Sequence, residues 1–245
     1  MKVLILAAGY GTRLYALVKD TPKALLEINK KPLLGYIFDR IETIEGLNEV
    51  LLVTNDKFYT AFGQWSKAQK SFRYPITIIN DKTRTPEDRL GSIGDIDFVL
   101  KYAKVDDDLL VIGSDNLFDF NIQEYVRFAR KRAPSVTVGL YDIHDRAEAT
   151  KFGVVELGKD GKIVSFEEKP QMAKSSLVAM CFYYLPQKSL GLISQYLLES
   201  NKADKAGDYI AWLCRKKDVY GFTFTGKWYD IGSVEAYHEA QKNFN

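Results

Sequence analysis

A chain of 245 residues, 46% of them hydrophobic, can bury a sizeable core and suits one large α/β domain or two small ones; one is expected. Its 34 basic and 32 acidic side chains nearly cancel, which excludes an overall field for nucleic acid or an anionic membrane and leaves any basic site local. No apolar run approaches the length of a membrane span, and no signal peptide is expected ahead of the first strand. Cys181 and Cys214 lack CxxC spacing, so buried cysteines in a reducing cytoplasm are expected.

The first stretch reads KVLILAAGYGTRLYALVKDTPK. Val3 to Leu6 is an apolar run of the kind that makes a parallel strand buried on both faces. Ala7, Ala8, Gly9 and Gly11 then strip away side chains, so backbone N–H groups can approach an anion and positive φ becomes accessible. Thr12 and Arg13 add a hydroxyl and a fixed cation. In Thr21-Pro22-Lys23, Pro22 holds the chain extended where Lys23 projects. Small backbone with two cations at a strand end predicts phosphate chemistry. The dinucleotide fingerprint is absent, since Leu14 stands where its last glycine or alanine belongs, and the Gly-Lys-Ser/Thr of the Walker pattern is missing too.

Pro32 suits a helix start, and Leu33, Leu34, Ile37, Phe38, Ile41 and Ile44 recur at helical spacing up to Gly46. Val50 to Val53 reads as a strand ending in Thr54-Asn55-Asp56, which can cap the next helix, and Ile76 to Ile79 as a third strand. This alternation predicts a parallel sheet covered on both faces. Asn80 to Asp95 is a polar, turn-rich loop too long for a simple connector, followed by a helix from Ile96 to Tyr102. Leu109 to Ile112 is another buried strand, ending in Gly113-Ser114-Asp115-Asn116. A carboxylate at such a strand end lies where open α/β sheets place ligands, and hard oxygen ligands suit Mg²⁺, although an isolated Asp115 equally reads as a turn cap.

Asn121 to Arg132 is expected to be a helix whose Arg127, Arg130, Lys131 and Arg132 form a solvated face, and Val136 to Tyr141 a strand. The texture then changes. Phe152 to Glu156 and Ile163 to Phe166, joined through Asp160-Gly161, make a hairpin signal, followed by Glu167-Glu168-Lys169-Pro170, which alone reads as a charged strand end. Leu177 to Leu185 is an apolar strand; Pro186 to Leu198 and Ala206 to Arg215 are helices, Trp212 packing from the second. Val219 to Phe224 and Lys227 to Ile231 are strands, the last carrying a second strand-end carboxylate, Asp230, with Ser233 as N-cap for a final helix over Val234 to Phe244. His144 and His238 read as ordinary histidines, and Tyr36, Phe58 and Tyr59 as exposed aromatics for packing or for an interface in a homo-oligomer.

The strings AAGYGTRL with PK, then SDN, FGVVE, DGKI, FEEKP and WYDIG, in this order, resemble the sugar-1-phosphate nucleotidylyltransferases, the family that includes glucose-1-phosphate thymidylyltransferase, over nearly the whole chain. The resemblance implies an α/β, Rossmann-like mixed and mostly parallel sheet flanked by helices, with a nucleotide-binding part over about 1–141 and a smaller β-rich sugar-binding part over about 142–245 of a single domain. It implies a nucleoside triphosphate on Leu6, Ala8, Gly9, Gly11, Thr12 and Arg13, with its base at Gly91 and Ser92; a sugar 1-phosphate on Asn116, Gly153, Glu168 and Lys169; and Mg²⁺ on Asp115 and Asp230. Arg13, Lys23 and Lys169 are the implied catalytic cations. Asp95 stands where the family has a small residue, and the glutamine of the thymidylyltransferase subgroup has no clear counterpart, so the base stays open among uracil, cytosine, thymine and guanine.

The implied reaction needs no general base, because the nucleophile is already a phosphate oxygen; it needs positioning and neutralisation of a departing pyrophosphate. The acceptor stays open between a hexose phosphate and a polyol or choline phosphate. A metal-dependent glycosyltransferase is the main rival, but it would normally carry Asp-x-Asp where this chain has Asp115-Asn116-Leu117. A non-catalytic nucleotide-binding relative is the other, and the presence of Arg13, Lys23, Asp115, Lys169 and Asp230 speaks against it.

Overall fold

The computed structural model describes residues 1–14, 21–200 and 205–244, with the Arg13 side chain outside that description. In chain order, β1 (Lys2–Leu6) is followed by the short β2 (Glu27–Ile28) and β3 (Lys31–Pro32), α1 (Leu33–Ile41), β4 (Glu49–Thr54), α2 (Tyr59–Ala68) and β5 (Ile76–Asn80). Next come α3 (Gly91–Tyr102), β6 (Leu109–Gly113), β7 (Asn116–Phe118), α4 (Gln123–Arg130), β8 (Val136–Asp142) and the single turn α5 (Arg146–Ala149). The remainder is β9 (Gly153–Leu157), β10 (Ile163–Glu168), β11 (Leu177–Leu185), α6 (Gly191–Ser200), α7 (Ala206–Cys214), β12 (Val219–Phe224), β13 (Trp228–Asp230) and α8 (Val234–Asn243). The class is the expected one, an α/β, Rossmann-like mixed and mostly parallel sheet flanked by helices.

Two compact units interleave in sequence. The first joins Met1–Leu90, Ile112–Gln123 and Gly226–Asn245, and the second joins Gly91–Val111 and Glu124–Thr225. In the first unit β1, β4 and β5 run parallel, Leu4 facing Leu51 and Leu51 facing Thr77, and Val3, Leu4 and Ile5 are fully buried as their uninterrupted run requires. Leu33, Leu34, Ile37, Phe38 and Ile41 bury one stripe of α1 behind the fixed φ of Pro32. In the second unit β12 pairs parallel with β8, while β11 pairs antiparallel with β8 and β9, and β9 with β10. An aromatic core of Tyr125, Phe182, Phe222 and Phe224 packs there, and the buried Tyr125 hydroxyl donates to Thr137 O at 2.8 Å and accepts from Tyr184 N at 3.0 Å.

Several expectations are corrected. The last five residues of the predicted 80–95 loop are helical, because α3 starts at Gly91, whose φ of +77° supplies the turn into the helix. Asn55 does not cap α2, which begins at Tyr59; its Oδ1 accepts from Phe58 N at 3.1 Å in the preceding turn. The helix expected from Pro186 is a 3₁₀ turn over Gln187–Ser189 and then α6. Cys181 and Cys214 are only half-buried, and Phe58, read as an exposed aromatic, is buried. β13 lies within the strand expected over 227–231, but its partner β7 was not expected; each is three residues long and pairs with the other.

Candidate active site

In the first unit the glycine loop leaves β1 with Ala7 N bonded to Val53 O at 2.9 Å, and Gly11 adopts a φ of +64° that turns the chain into a 3₁₀ turn over Thr12–Leu14. A Cβ at Gly9 would meet nothing within 4 Å, so the backbone there faces open space. The loop is pinned by residues that the sequence reading missed. Buried Asn55 donates to Ala8 O at 2.9 Å, and the Tyr10 hydroxyl donates to Thr83 Oγ1 at 3.2 Å. Thr83 is itself fixed, its N and Oγ1 both donating to Asp81 Oδ1. The available signal for Asn55 was an amide side chain just past the apolar run Val50 to Val53 and Thr54.

The strand-end carboxylate stands next to that loop's strand. Ser114 N donates to Leu6 O at 3.1 Å, which sets Asp115 beside the carboxyl end of β1. Lys23 Nζ donates to Asp115 Oδ2 at 2.8 Å. The Asp115 side chain is 34% exposed. Burial pushes its carboxyl up, and the charge and hydrogen bond of Lys23 outweigh that, leaving it below the usual carboxylate range. The backbone of Asp230 is brought alongside through β13, where it pairs with Asn116 while Ile231 N donates to Asp115 O at 2.9 Å. A Cβ at Gly232 would lie 3.4 Å from Asp230 Oδ2, an ordinary van der Waals contact, so the Asp230 carboxylate stands beside the glycine that follows β13.

Asn116 is 2% exposed and its amide is engaged inside the protein: Nδ2 donates to Gly113 O at 2.9 Å and more distantly to Asp115 Oδ1, and Oδ1 accepts from Trp228 Nε1 at 2.7 Å. Trp228, read only as part of a strand, thus helps to fix the residue that flanks Asp115. The described residues contain no group of three or more His, Cys, Asp or Glu arranged to hold a metal by themselves. Hard carboxylate oxygens such as those of Asp115 and Asp230 suit a divalent ion that takes its other ligands from phosphate oxygens and water.

The remaining expected residues lie in the second unit. Gly91 and Ser92 form the first turn of α3, where backbone N–H groups lack intrahelical partners. Gly153 and Glu168 face one another across the hairpin, and a Cβ on Gly153 would come within 2.5 Å of the Phe166 ring and 3.2 Å of Glu168 Oε2. Half-buried Glu168 has its carboxyl pushed up by burial, with the charge of Lys169 acting against that. Lys169, exposed and just beyond β10, has a φ of +47°, an uncommon conformation for a lysine, and its N donates to Phe152 O at 3.0 Å. The Arg13 side chain, a central expectation, lies outside the described residues.

Residues 2–245 match the family model described as Nucleotidyl transferase. The chain is 25% identical over 243 residues to the bifunctional protein GlmU of Methanocaldococcus jannaschii, covering 99% of this chain and 54% of that protein. It is 27% identical over 237 residues to the mannose-1-phosphate guanyltransferase of Debaryomyces hansenii, covering 95% of this chain and 61% of that one. A solved UDP-glucose pyrophosphorylase complexed with UDP-glucose superposes with a TM-score of 0.81 at 24% identity, covering 99% of this chain and 97% of that one, a likeness of fold. The chain spans about half the length of the first curated relatives it matches.

Proposed function

The chain belongs to the nucleotidyl transferase family, and from that premise we propose that it condenses a nucleoside triphosphate with a sugar 1-phosphate, releasing pyrophosphate and a nucleotide sugar. One observation supports the reading: Lys23 Nζ donates to Asp115 Oδ2 at the carboxyl end of the strand that feeds the glycine loop, and β13 brings the backbone of Asp230 and Ile231 alongside Asn116 and Asp115. Two carboxylates beside a cation and a bare backbone are what an in-line transfer between two polyanions requires.

In this reading the backbone N–H groups from Gly9 to Arg13, with Leu6, Ala8 and Thr12 around them, cradle the triphosphate, and the Arg13 guanidinium holds the leaving phosphates. Lys23, already a partner of a carboxylate at 2.8 Å, is a cation that can exchange it for a substrate phosphate. Asp115 and Asp230 would hold Mg²⁺, which when bound supplies a Lewis acid for the phosphate oxygens. Asn116 keeps the Asp115 carboxylate oriented, Gly91 and Ser92 offer backbone N–H groups to the base, and Gly153, Glu168 and Lys169 take the sugar 1-phosphate. An acceptor that is a sugar phosphate is also supported by the names of the similar proteins. A cytoplasmic setting is part of the same reading, supported by two cysteines without a disulfide.

The test is a matrix of nucleoside triphosphates against hexose 1-phosphates, polyol phosphates and choline phosphate, read by magnesium-dependent pyrophosphate release. One triphosphate with a sugar 1-phosphate is expected to give pyrophosphate and a nucleotide sugar. Binding of triphosphate without pyrophosphate anywhere in the matrix would make the protein a non-catalytic relative, and release of a nucleoside diphosphate from a nucleotide sugar would make it a glycosyltransferase.

A further inference from the structure

Gly207 occupies the first turn of α7, where its φ is not positive, so conformational freedom does not explain a residue that is among the poorest helix formers. Space does. A Cβ at Gly207 would stand 1.9 Å from Glu168 Oε2 and 2.5 Å from Glu168 Cδ, and a Cβ at Gly153 would stand 3.2 Å from the same oxygen. The carboxylate therefore stands close against two residues that have no side chain. It is half-buried, Lys169, Lys205 and Asp208 are the charged groups around it, and it makes no hydrogen bond or ion pair with another described residue. An acceptor that is partly desolvated, sterically confined and unpaired is prepared for a ligand's hydroxyl.

We infer that Gly207 is a positioning residue: the vacancy it leaves at the start of α7 fixes where the Glu168 carboxylate stands, and through it which hydroxyl of the sugar phosphate is recognised. The inference rests on the reading of Glu168 as a sugar ligand given above.

Gly207→Ala tests it. The obstructing atoms are the far end of a flexible side chain, so the variant is expected to fold, with a melting temperature no lower than the parent's, since alanine favours helix. The Michaelis constant for the sugar phosphate is expected to rise by about tenfold or more while that for the triphosphate stays within about twofold, and discrimination against the deoxy analogue of the recognised hydroxyl should fall. Introduced into Glu168→Ala, the same substitution should add nothing, because the group it acts through is gone. An unchanged constant for the sugar phosphate, or the same penalty in the Glu168→Ala background, would overturn the inference. A second readout needs no turnover. In a carbon-detected titration of the free protein the Glu168 carboxyl, held up by burial in the parent, should move back toward its ordinary range in Gly207→Ala, and an identical titration would equally overturn the inference. Absence of activity across the substrate matrix would instead count against the proposed function alone.

Discussion

Lys23 is read from its own neighbourhood, because Pro22 holds the backbone extended and leaves the ammonium projecting; its partner is not, since Asp115 lies 92 positions further on. The same distance effect recasts Asn116. In the sequence it adjoins a candidate metal ligand and resembles a sugar contact, yet its amide is held by Trp228, 112 residues away, in a bond with no local trace. Removing Lys23 separates its observed ion pair from its proposed contact with phosphate. Lys23→Ala leaves a partly buried carboxylate unpaired, which is expected to cost about 1–2 kcal/mol and to lower the melting temperature by about 2–8 °C. Turnover should fall by about a hundredfold or more, as for other charge donors aimed at a reacting phosphate. Lys2→Ala is the control: it cuts a pair of similar exposure, Lys2 with Glu49 at 2.6 Å, and should cost comparable stability with turnover retained. If both variants lose turnover alike, Lys23 acts only through the fold.

At the scale of elements, legibility followed how local the cause was. The hairpin of β9 and β10 was visible because Asp160-Gly161 is a turn that needs positive φ, and Gly161 has it at +81°. The final helix was visible because its cap is in the sequence, Ser233 Oγ accepting from Ala236 N at 3.2 Å. The start of α3 was misplaced because Gly91 and Gly94 read as loop residues, whereas Ile93 and Ile96 bury a helical face. Pairing between strands distant in sequence was not visible, and two glycines measure its importance. A Cβ on Gly139, in β8, would stand 2.7 Å from Phe182 Cβ and 2.9 Å from the Phe224 ring, while a Cβ on Gly63, in α2, would meet nothing within 4 Å. Gly139→Ala should therefore destabilise by about 1–3 kcal/mol through overpacking, and Gly63→Ala should stabilise by about 0.5–1 kcal/mol by favouring helix. Denaturant midpoints of the two variants are expected to move in opposite directions; a shift of the same sign would mean that backbone entropy, not the aromatic packing around β8, decides the cost at Gly139.

For the whole molecule, the change of texture after residue 141 is a feature of order along the chain, and compactness follows other contacts. The core cluster that buries Leu14, Ile28 and Leu33 is completed by Leu117 and by Ile231, Ala240 and Phe244, so the first unit draws on three separated segments. Charge is distributed across both units, and it fixes how the molecule responds to acid. Burial pushes the Glu49 carboxyl up, but bonds from Lys2 and Thr77 bring it below its ordinary value of 4.5. Asp142 is lowered by Ser176 and by His144 N, Asp115 by Lys23, and Glu199 to about 2 by Lys216, Gln195 and Trp212. A lowered carboxyl has already lost its proton in the folded state at a pH where the unfolded chain still binds one, so its stabilisation is present above the unfolded value and disappears as pH falls through the folded one. Glu168 runs the other way, since its raised carboxyl weakens the folded state as pH rises. Lowered groups outnumber it, and the melting temperature is expected to fall as pH drops from 4.5 toward 2. Glu49→Gln keeps the shape of the strand pair and removes one titrating group, so it should lower stability near neutrality and flatten that acid limb, the two curves converging at the lowest pH. Parallel curves, with a constant offset at every pH, would show that Glu49 stabilises by packing and hydrogen bonding, and that its charge contributes nothing to the acid response.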